Sequence, residues 1–86
     1  MAHHASAKKR HRQSLVRRDR NRHLRSGVRN AVRRVRRAAA QGDPALETHF
    51  RGAERLLRQA CSKGIMHHKT VSRTVSRLHK LLDSSK

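Results

Sequence analysis

Positive charge is spread so unevenly along this chain that it decides which part can fold by itself. The first 42 residues hold 14 Lys and Arg and a single acid, Asp19, a net of +13. Residues 43–86 hold nine basic residues and four acids, a net of +5, which completes the total of +18. Like charges in a compact chain repel until an anionic partner neutralises them, so a polyanion is implied, and nucleic acid is the usual one. At 86 residues the chain makes one domain at most, close to the lower limit for independent stability.

Three stretches carry apolar residues at helical spacing, and no alternation of the strand type is visible. Leu24, Val28, Ala31, Val32, Val35, Ala38 and Ala39 fall within an arc of about 120° on a helical wheel, while Arg25, Arg29, Arg33, Arg36 and Arg37 lie outside it. Gly42 can take the left-handed conformation that ends such a helix. Asp43 then offers a cap and Pro44 suits the first position of a second helix, with a stripe of Leu46, Phe50, Ala53, Leu57, Ala60 and Cys61. Lys63-Gly64 closes that helix, and Ile65 is placed to pack back on its last turn. A third helix is expected from near His68, with Val71, Val75, Leu78 and Leu82 on one face and Lys69, Arg73, Arg77 and Lys80 opposite. Its tail, residues 83–86, is expected to fray. The fold class is therefore all-α: an antiparallel three-helix bundle with a long, basic first helix that extends beyond it. The core is thin, so the protein should lean on its partner for stability.

Residues 1–22 behave differently. Leu15 and Val16 do not continue the apolar stripe, and the segment is otherwise polar with Lys8, Lys9, Arg10, Arg12, Arg17, Arg18, Arg20 and Arg22. Such a segment cannot bury enough surface to fold alone. A helix starting at Ala7 with Ser6 as cap would crowd Lys8, Lys9 and Arg10 at the positive end of its dipole, and arriving phosphates would reverse that penalty. The domain organisation expected is thus one unit: a basic, phosphate-binding arm over 1–22, disordered when free and helical when bound, joined to a helical bundle over 23–86.

Arginine outnumbers lysine 17 to 6, and its planar fork suits bidentate phosphate contacts. With one Phe and no Trp or Tyr there is no aromatic platform for stacking bases. Recognition should then run through shape and phosphate position, weakening steeply as salt rises. The eight histidines do not form a metal pattern: His3-His4 and His67-His68 are adjacent pairs, no CxxC or HExxH occurs, and no metal or cofactor is expected. Cys61 sits on an apolar stripe, as a small core residue would. Glu47 and Glu54 are spaced to pair with Arg51, Arg55 or Arg58, and no nucleophile–base pairing or phosphate loop is present, so no catalytic residue is assigned. One cysteine cannot form an internal disulfide, no apolar run could span a membrane, and no hydrophobic segment follows the N-terminus, which together point to the cytoplasm.

Certain residues also carry a resemblance. Ser6-Ala7-Lys8-Lys9-Arg10-His11-Arg12-Gln13-Ser14, then Arg17-Arg18, Asn21, Arg25-Ser26 and Arg29, the Gly42-Asp43 turn, Lys63-Gly64-Ile65-Met66-His67 and Ser76-Arg77-Leu78 follow in an order and spacing similar to the twentieth family of bacterial small-subunit ribosomal proteins. The resemblance covers nearly the whole chain. It implies a three-helix bundle with a long first helix, bound as a primary binder to small-subunit ribosomal RNA, with other small-subunit proteins as neighbours and no small-molecule substrate. It further implies RNA contacts from Lys8, Lys9, Arg10, Arg12, Ser14, Arg17, Arg18, Asn21, Arg22, Arg25, Arg29, His67 and Arg77. Where that family has a basic residue and then asparagine, this chain has His68-Lys69, which exchanges an amide contact for a phosphate contact by Lys69. Arg73, on the same basic face, completes the expected set.

Other classes would need other features. An architectural DNA protein should show a helix-turn-helix pair or apolar wedges for a minor groove, and neither is evident. A membrane-active cationic peptide should carry longer apolar faces with aromatic anchors.

Overall fold

A computed structural model describes residues 2–85 of the chain, with side chains from Ala5 onward. Three helices follow in order: α1 spans Ala2–Gln41, α2 Leu46–Ser62 and α3 His68–Ser84, and the described residues include no strand. The molecule measures 65 × 21 × 14 Å, its length set by the 40-residue α1.

The two inter-helix turns are built by the same device. Gly42 takes φ 65° and Gly64 φ 72°, a region closed to most side chains. At the first turn the Asp43 amide donates to the Ala38 carbonyl at 2.9 Å; at the second the Ile65 amide donates to Ala60 at 2.9 Å and Gly64 to Cys61 at 3.0 Å. Each is a Schellman stop, in which the chain folds back to satisfy the last carbonyls of the helix. Ile65 and the next residue, Met66, pack half-buried against the core, as the spacing suggested for Ile65.

Helix starts depart from the sequence expectation in two places. Helix α1 begins at Ala2, five residues before Ala7, so Ser6 lies within it and caps nothing. That register moves Lys8, Lys9 and Arg10 out of the first turn, beyond the short reach of the dipole. Helix α2 begins at Leu46 rather than Pro44. Asp43 still organises its entry, since its Oδ1 accepts the Ala45 amide at 2.8 Å and its carbonyl accepts Leu46 at 3.1 Å. The bonds span two and three residues, so Pro44 and Ala45 form a tight turn ahead of the regular helix. The tail is helical through Ser84, further than expected, with the Ser84 and Ser85 hydroxyls both donating to the Leu81 carbonyl.

All three stripes meet in one core. Val28, Ala31, Val35 and Ala38 come from α1; Leu46, Phe50, Ala53, Leu57 and Ala60 from α2; Val71, Leu78 and Leu82 from α3. Leu24, Val32, Ala39, Cys61 and Val75 border it, as do Leu56 and Leu81. Alanine recurs every seven residues on both α1 (31, 38) and α2 (53, 60). Small and large residues alternating on both helices let the two backbones approach closely and interdigitate. No polar side chain is buried among the described residues, so the core depends on apolar packing alone. Phe50, its one aromatic ring, meets His79 edge to face at a 5.6 Å centroid separation, and His79 Nδ1 lies 3.1 Å from Asp83 Oδ2.

The core ends at Leu24, although α1 continues toward Ala2. At 1.5 Å per residue, α1 runs about 60 Å while α2 and α3 cover about 25 Å each, so over half of α1 stands beyond its partners. Side chains 5–20 are all exposed.

Candidate nucleic-acid interface

On the overhanging half of α1, Arg10, Gln13, Ser14, Arg17, Arg18, Asn21 and Arg25 line one groove. At about 100° per residue they occupy an arc of roughly 140°, and Asp19, the one acid of this half, falls about 170° from its middle. Their spacing explains the groove. Arg10, Ser14, Arg17 and Asn21 step by four and three, and the same steps run on through Leu24, Val28, Ala31, Val35 and Ala38. The side of α1 that meets α2 and α3 within the bundle is thus the side that presents arginine and hydrogen-bonding groups along the overhang. A strand seated there would lie in line with the bundle and meet its near end. Because α2 returns antiparallel from the Gly42 turn, that near end is the α2–α3 connection with Lys63, His67, His68 and Lys69.

The groove offers four guanidinium forks within about 23 Å, together with the Ser14 hydroxyl and the Gln13 and Asn21 amides. This set can grip successive phosphates and sugar hydroxyls while carrying no means of stacking bases. Among the described residues no carboxylate pairs with any of these arginines.

The expected contact residues do not gather into one place. Arg10, Ser14, Arg17, Arg18, Asn21 and Arg25 share the groove; Lys8, Lys9, Arg12 and Arg22 point from other sides of the same helix, all exposed. Arg29 stands on the exposed flank of α1 within the bundle. Lys69, Arg73 and Arg77 form a separate row on α3, spaced by four and turned away from the core. His67 acts as the N-cap of α3, its Nδ1 accepting the Lys69 amide at 3.2 Å, while its ring stacks on His68 at 4.4 Å. An accepting Nδ1 leaves the Nε2–H as the only ring donor of a neutral His67.

Sequence reasoning left Gln13 out of the set, together with Arg33, Arg34, Arg36 and Arg37, which extend the exposed cationic flank of α1. The four-and-three register shared by Arg10–Asn21 and the core stripe was the signal for Gln13, which neighbours that row. The side chains of His3 and His4 lie outside the described residues. Among the described residues, no three His, Cys, Asp or Glu come together as metal ligands, and no helix is long and apolar enough to cross a membrane.

Exposed cations that far outnumber the carboxylates of α1 and α3, fourteen to one and four to one, define a class of helical, polyanion-binding protein. Residues 2–83 match the family described as Ribosomal protein S20. The chain is 47% identical over 81 residues to the small ribosomal subunit protein bS20 of Anaeromyxobacter dehalogenans (strain 2CP-C), covering 93% of this chain and 88% of that one. It is 45% identical over 87 residues to the bS20 of Solidesulfovibrio magneticus, covering 100% and 98%, and 45% identical over 85 residues to that of Geotalea uraniireducens, covering 98% of each. The chain belongs to the ribosomal protein S20 family, whose members are structural and not enzymes.

Proposed function

We propose that this protein is a structural constituent of the small ribosomal subunit that binds small-subunit ribosomal RNA directly, as a primary binder, and stabilises the RNA fold during assembly. One observation carries the reading: a groove of arginines with no carboxylate partner, on a helix that projects well beyond the hydrophobic core. The relatives supply the particle, since all are named as small ribosomal subunit proteins. In this reading the RNA contacts are the arm residues Lys8 to Arg25, with Arg29 and the α3 row of Lys69, Arg73 and Arg77, and His67 contributes through Nε2. Neighbouring small-subunit proteins complete its surroundings on the ribosome.

The arm and the bundle would fold under different conditions. Like charges at helical spacing, such as Lys8 with Arg12 and Arg18 with Arg22, each destabilise a lone helix by about 0.2–0.5 kcal/mol. An unsupported helix of this length is marginal in water even without that repulsion. Phosphates between the arginines turn the repulsion into attraction, so the helical arm is the RNA-bound form. Two separated basic faces, on α1 and α3, would let the protein hold more than one RNA segment and reduce the entropy of arranging them.

Retention of purified small-subunit ribosomal RNA, against equal masses of transfer RNA and duplex DNA, tests this at about 0.2 M monovalent salt, where non-specific phosphate binding has weakened. Selective, saturable binding of the ribosomal RNA is expected. Equal retention of all three would leave a general polyanion binder and defeat the proposal.

A further inference from the structure

Resting on that RNA-binding reading, we infer that the outer face of α2 stays clear of the RNA and is the side of the bound protein turned to solvent. Charge is partitioned along the chain. Residues 1–42 carry +13 and residues 63–86 carry +5, whereas residues 43–62, α2 with the turn before it, set Arg51, Arg55 and Arg58 against Asp43, Glu47 and Glu54, a net of zero. The neutrality is local as well as arithmetical. Arg51 Nη2 lies 2.8 Å from Glu47 Oε1, and Arg58 holds Glu54 Oε1 through Nη2 at 2.8 Å and Nε at 3.1 Å.

These pairs lie seven residues, two turns, apart on the flank of α2 beside the buried stripe of Phe50, Ala53, Leu57 and Ala60, with both arginines exposed. The shallow depression there is lined by Arg51, Glu54, Arg55, Arg58, Gln59 and Ser62. A phosphodiester chain entering it would meet the Glu54 carboxylate and compete with Glu47 and Glu54 for the Arg51 and Arg58 guanidinium groups, leaving Arg55, among the described residues, as the one unengaged arginine of the depression. The α1 groove and the α3 row oppose an incoming phosphate with no such groups, since Asp19 lies across the helix from the groove and Asp83 beyond the end of the row. The field that draws RNA therefore acts mainly from the α1 and α3 sides and is weakest over α2. The bound protein is sided.

Charge reversal in the full chain tests the siding. Each variant's helicity is checked by circular dichroism, and affinity for small-subunit ribosomal RNA is measured across a salt series. Arg55→Glu and Gln59→Glu are expected to bind within about two-fold of the parent, as surface changes outside an interface do. Arg17→Glu and Arg77→Glu are expected to weaken binding at least about ten-fold and to lower the salt slope by roughly one. If either α2 variant, folded like the parent, loses as much affinity as Arg17→Glu, the siding is wrong while the RNA reading stands. Failure of the parent itself to bind the ribosomal RNA selectively overturns both.

Discussion

The two halves of α1 are one continuous helix of similar arginine density, yet only one of them has a core. From Leu24 to Gln41 the four-and-three positions are Leu, Val and Ala, and the arginines are left on the outer flank. From Ala5 to His23 the same positions are Arg, Ser and Asn, and the exposed apolar residues, Leu15 and Val16, stand off that line. Backbone geometry does not distinguish the halves. What differs is the chemistry along a single line of side chains: apolar where protein covers the helix, polar and cationic where the protein leaves it open.

Predictions follow from the contrast. The largest effect should come from Phe50→Ala, which removes the one aromatic ring of the core and costs about 3–5 kcal/mol, enough to unfold a chain this small. Chemical or thermal melting followed by circular dichroism reads it, and full native helicity would show that the bundle does not depend on that ring. Next, valine to alanine in each half sets like against like. Val35→Ala, at a site 0% exposed, should cost about 2–3 kcal/mol, and Val16→Ala, at a site 58% exposed, no more than about 0.5 kcal/mol. Equal losses would abolish the distinction between the halves.

The converse test removes charge. Arg10→Ala with Arg18→Ala should weaken binding of small-subunit ribosomal RNA by about 10- to 100-fold and flatten its salt dependence, leaving bundle melting unchanged. A collapse of melting would show instead that the arm is part of the folded core. The smallest effect is expected from Gly27→Ala, near the junction of the halves. Beyond the adjoining residues and backbone of its own helix, no atom lies within 4 Å of the added methyl, so the substitution should stabilise the helix by about 0.5–1 kcal/mol, seen as a modest rise in melting temperature. A fall would mean that α1 bends or opens there in solution.

Much of the bundle was legible because its signals are local and redundant. The apolar stripes needed only spacing, and Gly42 and Gly64 marked stops that their positive φ values account for. Helix starts were harder. Pro44 invited a start at its own position, but the paired Asp43 bonds draw Pro44 and Ala45 into a tight turn first. Ser6 looked like a cap, whereas an earlier start at Ala2 frees the lysines from the first turn. Leu56 and Leu81 border the core from beside the stripes, where a wheel drawn for one helix cannot show how far its neighbours reach.

The contact surface was legible as a list of charges but not as a geometry. Sequence alone could not separate the α1 groove from the α3 row, because both read as basic residues at helical spacing. The shared four-and-three register put the groove on the core side of α1, but where the cover of α2 and α3 stops along that line came only from the fold. His67 was expected as a contact residue, and the bond from the Lys69 amide adds a capping role for Nδ1 and leaves Nε2 as the ring donor.

The most direct test of the central contrast is amide hydrogen exchange on the full chain, free and bound to small-subunit ribosomal RNA. The account predicts that amides of residues 7–22 exchange rapidly in the free protein and become protected on binding, while those of residues 28–38, 50–60 and 71–82 are the most protected in both states. Protection of the arm equal to that of the bundle without RNA, or an arm still unprotected with RNA bound, would contradict it.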